Sequence, residues 1–304
     1  KEVVHITDRL TTRFEISSIM KGFAEGPVLY FEEVEGYETK VVGNVCGTRA
    51  RICSALEVSQ ENLYQKMTDA LKFPKAPKTV ENAPVKEIIE KPNLHKIPVL
   101  THYEKDAGAY ITSAVISARS HDESIENVST HRLLILDQNH LAIRLVPRHL
   151  YRLWKTAKEA EKDLDVAIAI GVHPAVSLAA ASSPPFGVSE FWIANALLGN
   201  NLRLIRCMEV DAYAPAEAEL ILEGRISSDK EAIEGPLVDI TGTYDIQRSQ
   251  PIIEIVNVMH REDYIYQALL PGGPEHRLLM GLPRETMIYE AVSRVVPAVK
   301  AVNL

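Results

Sequence analysis

Apolar residues alternate with polar ones, or run together in short blocks, over much of the chain beyond residue 100. This pattern predicts strands at 110–118, 133–137, 141–146, 166–170, 202–207, 217–223 and 252–259. Helical spacing predicts helices at 148–161, begun by Pro147, at 189–198, capped by Ser189, and at 285–296, stopped by Pro297. Nearer the amino terminus the pattern is mixed. It gives a helix over 14–23, strands over 28–33 and 40–45, and helical recurrence of Leu63, Met67, Ala70 and Leu71 after a Ser59 cap. Five of the 17 prolines (Pro74, Pro77, Pro84, Pro92 and Pro98) fall within residues 74–98, which reads as a linker. No internal repeat and no strict βαβ alternation is present. The expected fold class is α+β: a small N-terminal α/β domain and its linker in residues 1–100, then a β-rich barrel with peripheral helices.

Composition narrows the partners more than the fold. The chain has 304 residues, 46% hydrophobic and 24% charged, with 15 glycines, which describes a globular protein large enough for two domains. A net charge of -8 and the lack of a Lys/Arg block argue against nucleic acid. No apolar run reaches the roughly 18 to 20 residues of a membrane span, and residues 1–10 have no signal-peptide core, so a cytoplasmic location is expected. Cys46, Cys53 and Cys207 are odd in number and lack metal-type spacing, which favours buried thiols.

Two groups of residues carry candidate chemistry. Asn127, His149 and Glu190 each fall at the end of an expected element, and an amide, an imidazole and a carboxylate form a fairly hard ligand set suited to Mn or Mg. Singly, each has a plainer reading: a turn former, a helix-start histidine, a carboxylate complementing a helix dipole. In the second group, "EGPLVD" sets Glu234 and Asp239 five residues apart across a Gly-Pro turn, and Arg132 could serve both. Paired to Glu234, its remaining donors could grip a substrate carboxylate, while the second acid delivers a proton. The plainer reading here is an exposed turn with a surface ion pair.

The segments "ENVSTHRLLILD", "LVPRHL", "SSPPFGVSEFW", "CMEVDAYAPAEAELILEG" and "IEGPLVDITGTY", in this order, resemble the UbiD family of reversible decarboxylases that use prenylated FMN. The resemblance runs from about Gly26 to the end and includes "GPVLYFEEVEG" and "GNVCGTRARI". It implies a split β-barrel flavin-binding domain over 101–284 and a connector at 285–304 leading toward a C-terminal domain that this chain lacks. It implies that Asn127, His149 and Glu190 hold a divalent metal, Mn2+ or Mg2+, against the cofactor phosphate, with K+ nearby. Ser129, Thr130, His131, Arg132, Arg148, Ser182 and Ser183 would complete the cofactor site together with those three ligands. Arg132, Glu234 and Asp239 match the family's catalytic network, with Asp239 as general acid/base. The modified flavin would act as electron sink for loss of carbon dioxide beside a double bond or aromatic ring.

The resemblance also implies partners: a small carboxylic acid as substrate, a flavin prenyltransferase as cofactor supplier, and further copies of the chain in a homo-oligomer. Archaeal-type features of "THRLLILDQNHLAIRLVPRHLY" make trans-anhydromevalonate 5-phosphate, giving isopentenyl phosphate, a candidate substrate beside hydroxybenzoate-type acids. For its phosphate, His131, Arg119, Arg144 and Arg148 are available by type. His131 stands where some aromatic-acid members carry a small residue, and it either touches substrate or makes a structural hydrogen bond. Two other classes fit parts of the pattern: a flavin-binding accessory subunit completed by another chain, and a split-barrel FMN oxidoreductase.

Overall fold

The computed structural model describes residues 2–23, 26–296 and 298–304. Over the first hundred residues the elements are β1 (Val3–Ile6), α1 (Glu15–Gly22), β2 (Val28–Phe31), β3 (Val41–Gly43), α2 (Arg49–Ala55), α3 (Leu63–Lys72), β4 (Lys78–Thr79) and β5 (Ile88–Glu90). Next come β6 (Tyr110–Ile111), β7 (Val115–Arg119), β8 (Glu126–Thr130), β9 (Leu133–Ile135), β10 (His140–Ile143), α4 (His149–Glu159) and β11 (Leu164–Ile170). The chain continues with α5 (Pro174–Ala180), α6 (Glu190–Leu197), β12 (Arg203–Arg206), β13 (Tyr213–Pro215), β14 (Leu220–Glu234), β15 (Arg248–His260), β16 (Tyr266–Gln267) and α7 (Pro274–Ser293).

The main sheet is antiparallel throughout, in the order β6-β9-β10-β15-β14-β11-β7-β8, with β5 added on β15. Its spine is the β14–β15 hairpin, whose register shifts at Glu223/Gly224 and again between Ile226 and Glu231, the kind of bulge that bends a sheet. Both faces are covered. Along β11, Ala167 and Ala169 pack with α3, α5 and α6, while Val166, Ile168 and Ile170 pack with α1 and α4. This two-sided burial explains why the strand reads as an unbroken apolar run rather than an alternation.

The amino-terminal elements are tied into this body. β16 pairs in parallel with β3, completing the sheet β1-β2-β3-β16. The proline-rich stretch does more than tether. It supplies β4 to a small sheet with β12 and β13, and β5 to the main sheet.

Several expectations need correction. The strand expected over 110–118 is two, because Thr112 and Ser113 turn their hydroxyls onto the carbonyls of Leu269 and Gln267, both at 2.6 Å. Asn127 lies inside β8 rather than before a strand. Ser59 makes no side-chain cap and precedes a short 3-10 turn ahead of α3. Pro147 lies just outside α4, whose N-cap is Arg148. The last helix begins at Pro274, not 285, started by the turn at Gly272 and Gly273, and runs through Pro283. Leu279, Leu282, Glu285 and Thr286 are buried on either side of that proline, so packing offsets the missing backbone bond. The expected stop at Pro297 lies outside the described residues. No pattern marked α5, since Ala175, Val176, Leu178, Ala179 and Ala180 are all buried and leave no polar face to reveal a period. No described helix is long and apolar enough to cross a membrane.

Candidate active site

A cavity of about 810 Å³ opens between β8, the loops after β8 and β10, the loop after β14, and the first half of α7. Asn127, Ser129, Thr130, His131, Arg132, Arg148, His149, Ser182, Ser183, Glu190 and Asp239 all line it. Glu234 stands behind the wall, fully buried.

One side of the cavity is built by α6 docking on β8. Ser189 caps α6, its hydroxyl accepting from the Phe191 N–H at 3.2 Å and donating to Glu126 Oε2 at 2.5 Å. That cap sets Glu190, in the first turn, against the strand. Its Oε1 accepts from Asn127 Nδ2 at 3.0 Å and its Oε2 from the Val128 N–H at 2.6 Å. Burial drives the Glu190 carboxyl up to about 8, against the opposing pull of those donors, and the nearby Glu126 charge adds to the rise. Among the described residues no lysine or arginine forms an ion pair with it.

His149 opens α4 on the same cavity, its ring edge-on to Phe186 with centroids 5.3 Å apart. Burial, and then the charges of Arg152 and Arg148, hold its pKa below the ordinary histidine value, so the imidazole is neutral and able to act as a ligand. Asn127 Oδ1 accepts from Ser129 Oγ at 3.0 Å and keeps a second lone pair. A buried carboxylate without a cationic partner, a neutral imidazole and an amide oxygen make a set that a divalent cation would fit. Among the described residues no cluster of three His, Cys, Asp or Glu side chains forms a metal cage alone, so other ligand oxygens would be needed to complete one.

His131 lines the cavity with both ring nitrogens engaged by the protein. Its Nδ1 lies 3.1 Å from the Arg144 carbonyl and its Nε2 3.0 Å from Ser129 Oγ, and burial holds its pKa near 4 against the pull of that carbonyl. It is therefore neutral near pH 7 and offers no charge to a phosphate. Arg119 is also excluded, since its guanidinium pairs with Asp211 and Glu123 and stacks over Tyr213, away from the cavity. Arg144 and Arg148 remain on the wall.

The second group assembles around Arg132. Its Nε and Nη2 bond Glu234 Oε1 and Oε2 at 2.8 and 3.0 Å, a two-pronged pair. Burial works against the guanidinium charge, but Glu234, Tyr110 and Asp245 together outweigh it and raise the pKa. Tyr110 fixes Glu234 from behind: its hydroxyl donates to Oε1 at 3.1 Å and accepts from the Gly235 N–H at 3.0 Å. Gly235 has φ +91°, a conformation that favours glycine and turns the chain sharply after β14. Asp239 follows on that loop, exposed to the cavity, with its backbone N–H on the Thr243 carbonyl at 2.8 Å. It makes no hydrogen bond to Arg132, so the arginine serves Glu234 and a different acid, Asp245.

Sequence reasoning missed Asp245. Its Oδ2 accepts from Arg132 Nη2 at 3.1 Å, lies 3.4 Å from Arg144 Nε, and both of its oxygens accept from Arg248 Nη1, at 2.8 and 2.9 Å. Burial opposes its charge, but Arg248, the Ile246 N–H, Arg132 and Arg144 together hold its pKa below the usual carboxylate range. His276 and Arg284 on α7 and Tyr110 behind the wall were missed as well. None of the three has a local sequence signature, although Asp245 lies six residues after Asp239 on the same loop.

Residues 1–71 match the 3-octaprenyl-4-hydroxybenzoate carboxy-lyase N-terminal domain, and residues 78–274 match the Rift-related domain of the same enzymes. The anhydromevalonate phosphate decarboxylase of Methanothermobacter thermautotrophicus is 38% identical over 304 residues, covering 100% of this chain and 71% of its own length. That of Methanocaldococcus jannaschii is 43% identical over 303 residues, covering 98% of this chain and 70% of its own. An evolved dimeric form of a UbiD-class enzyme from Pelotomaculum thermopropionicum, solved in complex with prFMN, is similar with a TM-score of 0.97 at 36% identity, covering 99% of this chain and 71% of that one. The vanillic acid decarboxylase of Sedimentibacter hydroxybenzoicus in its closed form gives 0.91 at 26% identity, covering 99% and 68%. With sequence, fold and cavity in agreement, the chain belongs to the UbiD family of carboxy-lyases.

Proposed function

We propose that this chain is a prenylated-FMN-dependent, non-oxidative decarboxylase whose substrate is a phosphate-bearing unsaturated acid of the anhydromevalonate phosphate type. The observation that carries the reading is the Arg132–Glu234 pair in the wall of a cavity that Asp239 and the Asn127, His149, Glu190 group also face. Five relatives at 37–44% identity bear the name anhydromevalonate phosphate decarboxylase, which supports the substrate class. The presence of Arg144 on the cavity wall supports a second anionic group on the substrate.

In this reading the main sheet is the flavin-holding split barrel, behind the amino-terminal domain of residues 1–100 and ahead of a connector at 285–304. Asn127, His149 and Glu190 would hold Mn2+ or Mg2+ for the cofactor phosphate, Arg148, Ser182 and Ser183 would add further contacts to it, and K+ would serve as a second cation. When bound, the cofactor supplies the electron sink that a carboxylate on an unsaturated carbon lacks.

The chain's own residues do the rest. Arg132 orients the substrate carboxylate, and Glu234 and Tyr110 keep the guanidinium from turning. Once carbon dioxide has left, Asp239 delivers a proton to the carbon that carried it. Val115, Leu237, Val238, Leu269 and Leu279 supply an apolar lining that keeps water from competing.

The test is expression together with a flavin prenyltransferase, identification of the bound flavin by absorption and mass, and measurement of carbon dioxide release from anhydromevalonate phosphate. Prenylated FMN with substrate-dependent release is expected. A prenylated holoenzyme that releases nothing from the phosphate acid but acts on hydroxybenzoates would overturn the substrate class.

A further inference from the structure

Arg132 has two edges on which it can grip a carboxylate side-on, and Glu234 occupies the Nε–Nη2 edge. The other edge, Nη1–Nη2, is half taken, because Asp245 Oδ2 accepts from Nη2 at 3.1 Å. Among the described residues only Nη1 has no partner, which fixes how a substrate carboxylate can approach.

Asp245 also settles a charge conflict. Leu133 pairs with Ile143, and the Arg144 N–H donates to the Arg132 carbonyl at 3.2 Å, so Arg132 and Arg144 are cross-strand neighbours. Like charges placed directly opposite repel. Asp245 lies between them, 3.1 Å from one and 3.4 Å from the other, and is itself held by Arg248. Its backbone belongs to the loop of the proton donor: the Asp245 N–H donates to the Leu237 carbonyl at 2.9 Å, and Val238 bridges Tyr244. One short hairpin therefore carries both Asp239 and the carboxylate that touches the arginine.

We propose that Asp245 is a positioning residue for decarboxylation: it clamps the free edge of Arg132, keeps Arg144 from displacing it, and ties the guanidinium to the loop that bears Asp239. The proposal rests on the reading of Arg132 as the residue that orients the substrate carboxylate. Asp245 itself touches neither the reacting carbon nor the leaving group. Its effect passes through Arg132.

The test uses the prenylated holoenzyme and anhydromevalonate phosphate. Asp245→Asn keeps the side-chain shape and removes the charge. Turnover is expected to fall on the order of 10²-fold, the loss that goes with a misplaced orienting group, with flavin and metal content unchanged. In an Arg132→Lys background the same change should cost no more than about twofold, because the residue it acts through is already gone. Losses that simply multiply would mean that Asp245 works independently of Arg132 and would overturn the proposal. Asp245→Ser, which removes the charge without bulk, is the second variant should the first fail to fold. Crystal structures separate this proposal from the functional reading. An Arg132 guanidinium that stays in place in the Asp245 variant refutes the clamp whatever the substrate. A wild-type holoenzyme that decarboxylates nothing, with Arg132 displaced in the variant, refutes only the assigned reaction.

Discussion

Replacing Glu234 by glutamine tests the core of the site while changing very little volume. Glu234 is fully buried, with both oxygens on Arg132 and one also on the Tyr110 hydroxyl. The amide puts an NH2 group where an oxygen now accepts, so in either orientation it faces an arginine N–H, and in place of Oε1 it faces the tyrosine hydroxyl as well. At least one charge-assisted bond, worth about 1.5–3 kcal/mol, is lost. The guanidinium, whose side chain is 14% exposed, also loses its main counter-charge. Breaking one side of a buried pair costs about 3–5 kcal/mol, and the contact that Asp245 retains on Arg132 puts this case near the lower end, about 3 kcal/mol. That corresponds to a melting temperature about 5 °C lower. Turnover should fall on the order of 10²-fold, since Arg132 is no longer held in place. The assay is urea unfolding of wild type and variant with matched cofactor content, alongside carbon dioxide release. A stability loss under about 1 kcal/mol, the range of an exposed pair, would refute the claim that this is a buried pair fixing the arginine.

Further outcomes follow from the same geometry. Asp239→Asn should leave flavin and metal content intact but slow turnover by about 10²- to 10⁴-fold, read by steady-state kinetics; unchanged turnover rules it out as the proton donor. Glu190→Gln should lower metal and flavin retention after gel filtration, and full retention would contradict the metal site. Tyr110→Phe leaves the Gly235 N–H without its partner, so about 1–3 kcal/mol of stability should be lost in urea unfolding; no loss would remove Tyr110 from the network. Burial raises the Glu275 carboxyl to about 7, against the Cys46 N–H and the Arg51 charge, from its ordinary 4.5. Between those values the unfolded chain gives up a proton that the folded chain keeps, so this group makes stability fall as pH rises from about 4.5 to 7, by up to roughly 3 kcal/mol. Glu275→Gln should flatten that part of the stability–pH curve relative to wild type, and two parallel curves would show that the group does not titrate this way.

Most of the longer strands and the short motifs were legible because their signals are local, although β1 and β8 were not expected. Val166 to Ile170 reads as a buried strand by composition alone, and "SEFW" announces its cap and first-turn acid within four residues. The ordered motifs then named residues that the fold brings to one cavity. What stayed hidden depends on distance. Arg132 meets Asp245 across 113 positions and Tyr110 meets Glu234 across 124, and no spacing rule links them. Arg119 looked like Arg144 as a candidate for phosphate, since residue type carries no position; only the fold turns one toward Asp211 and the other into the cavity. The early start of α7 was obscured by Pro283, a breaker by local rules that tertiary burial overrides.

The most direct measurement is exchange of isotopically labelled carbon dioxide into the carboxylate of the candidate acid, with holoenzyme loaded with prenylated FMN or with plain FMN. The account predicts exchange only with the prenylated cofactor, and its near-complete loss in Arg132→Lys. Equal exchange with plain FMN, or no exchange together with NAD(P)H-driven reduction of an acceptor, would contradict it.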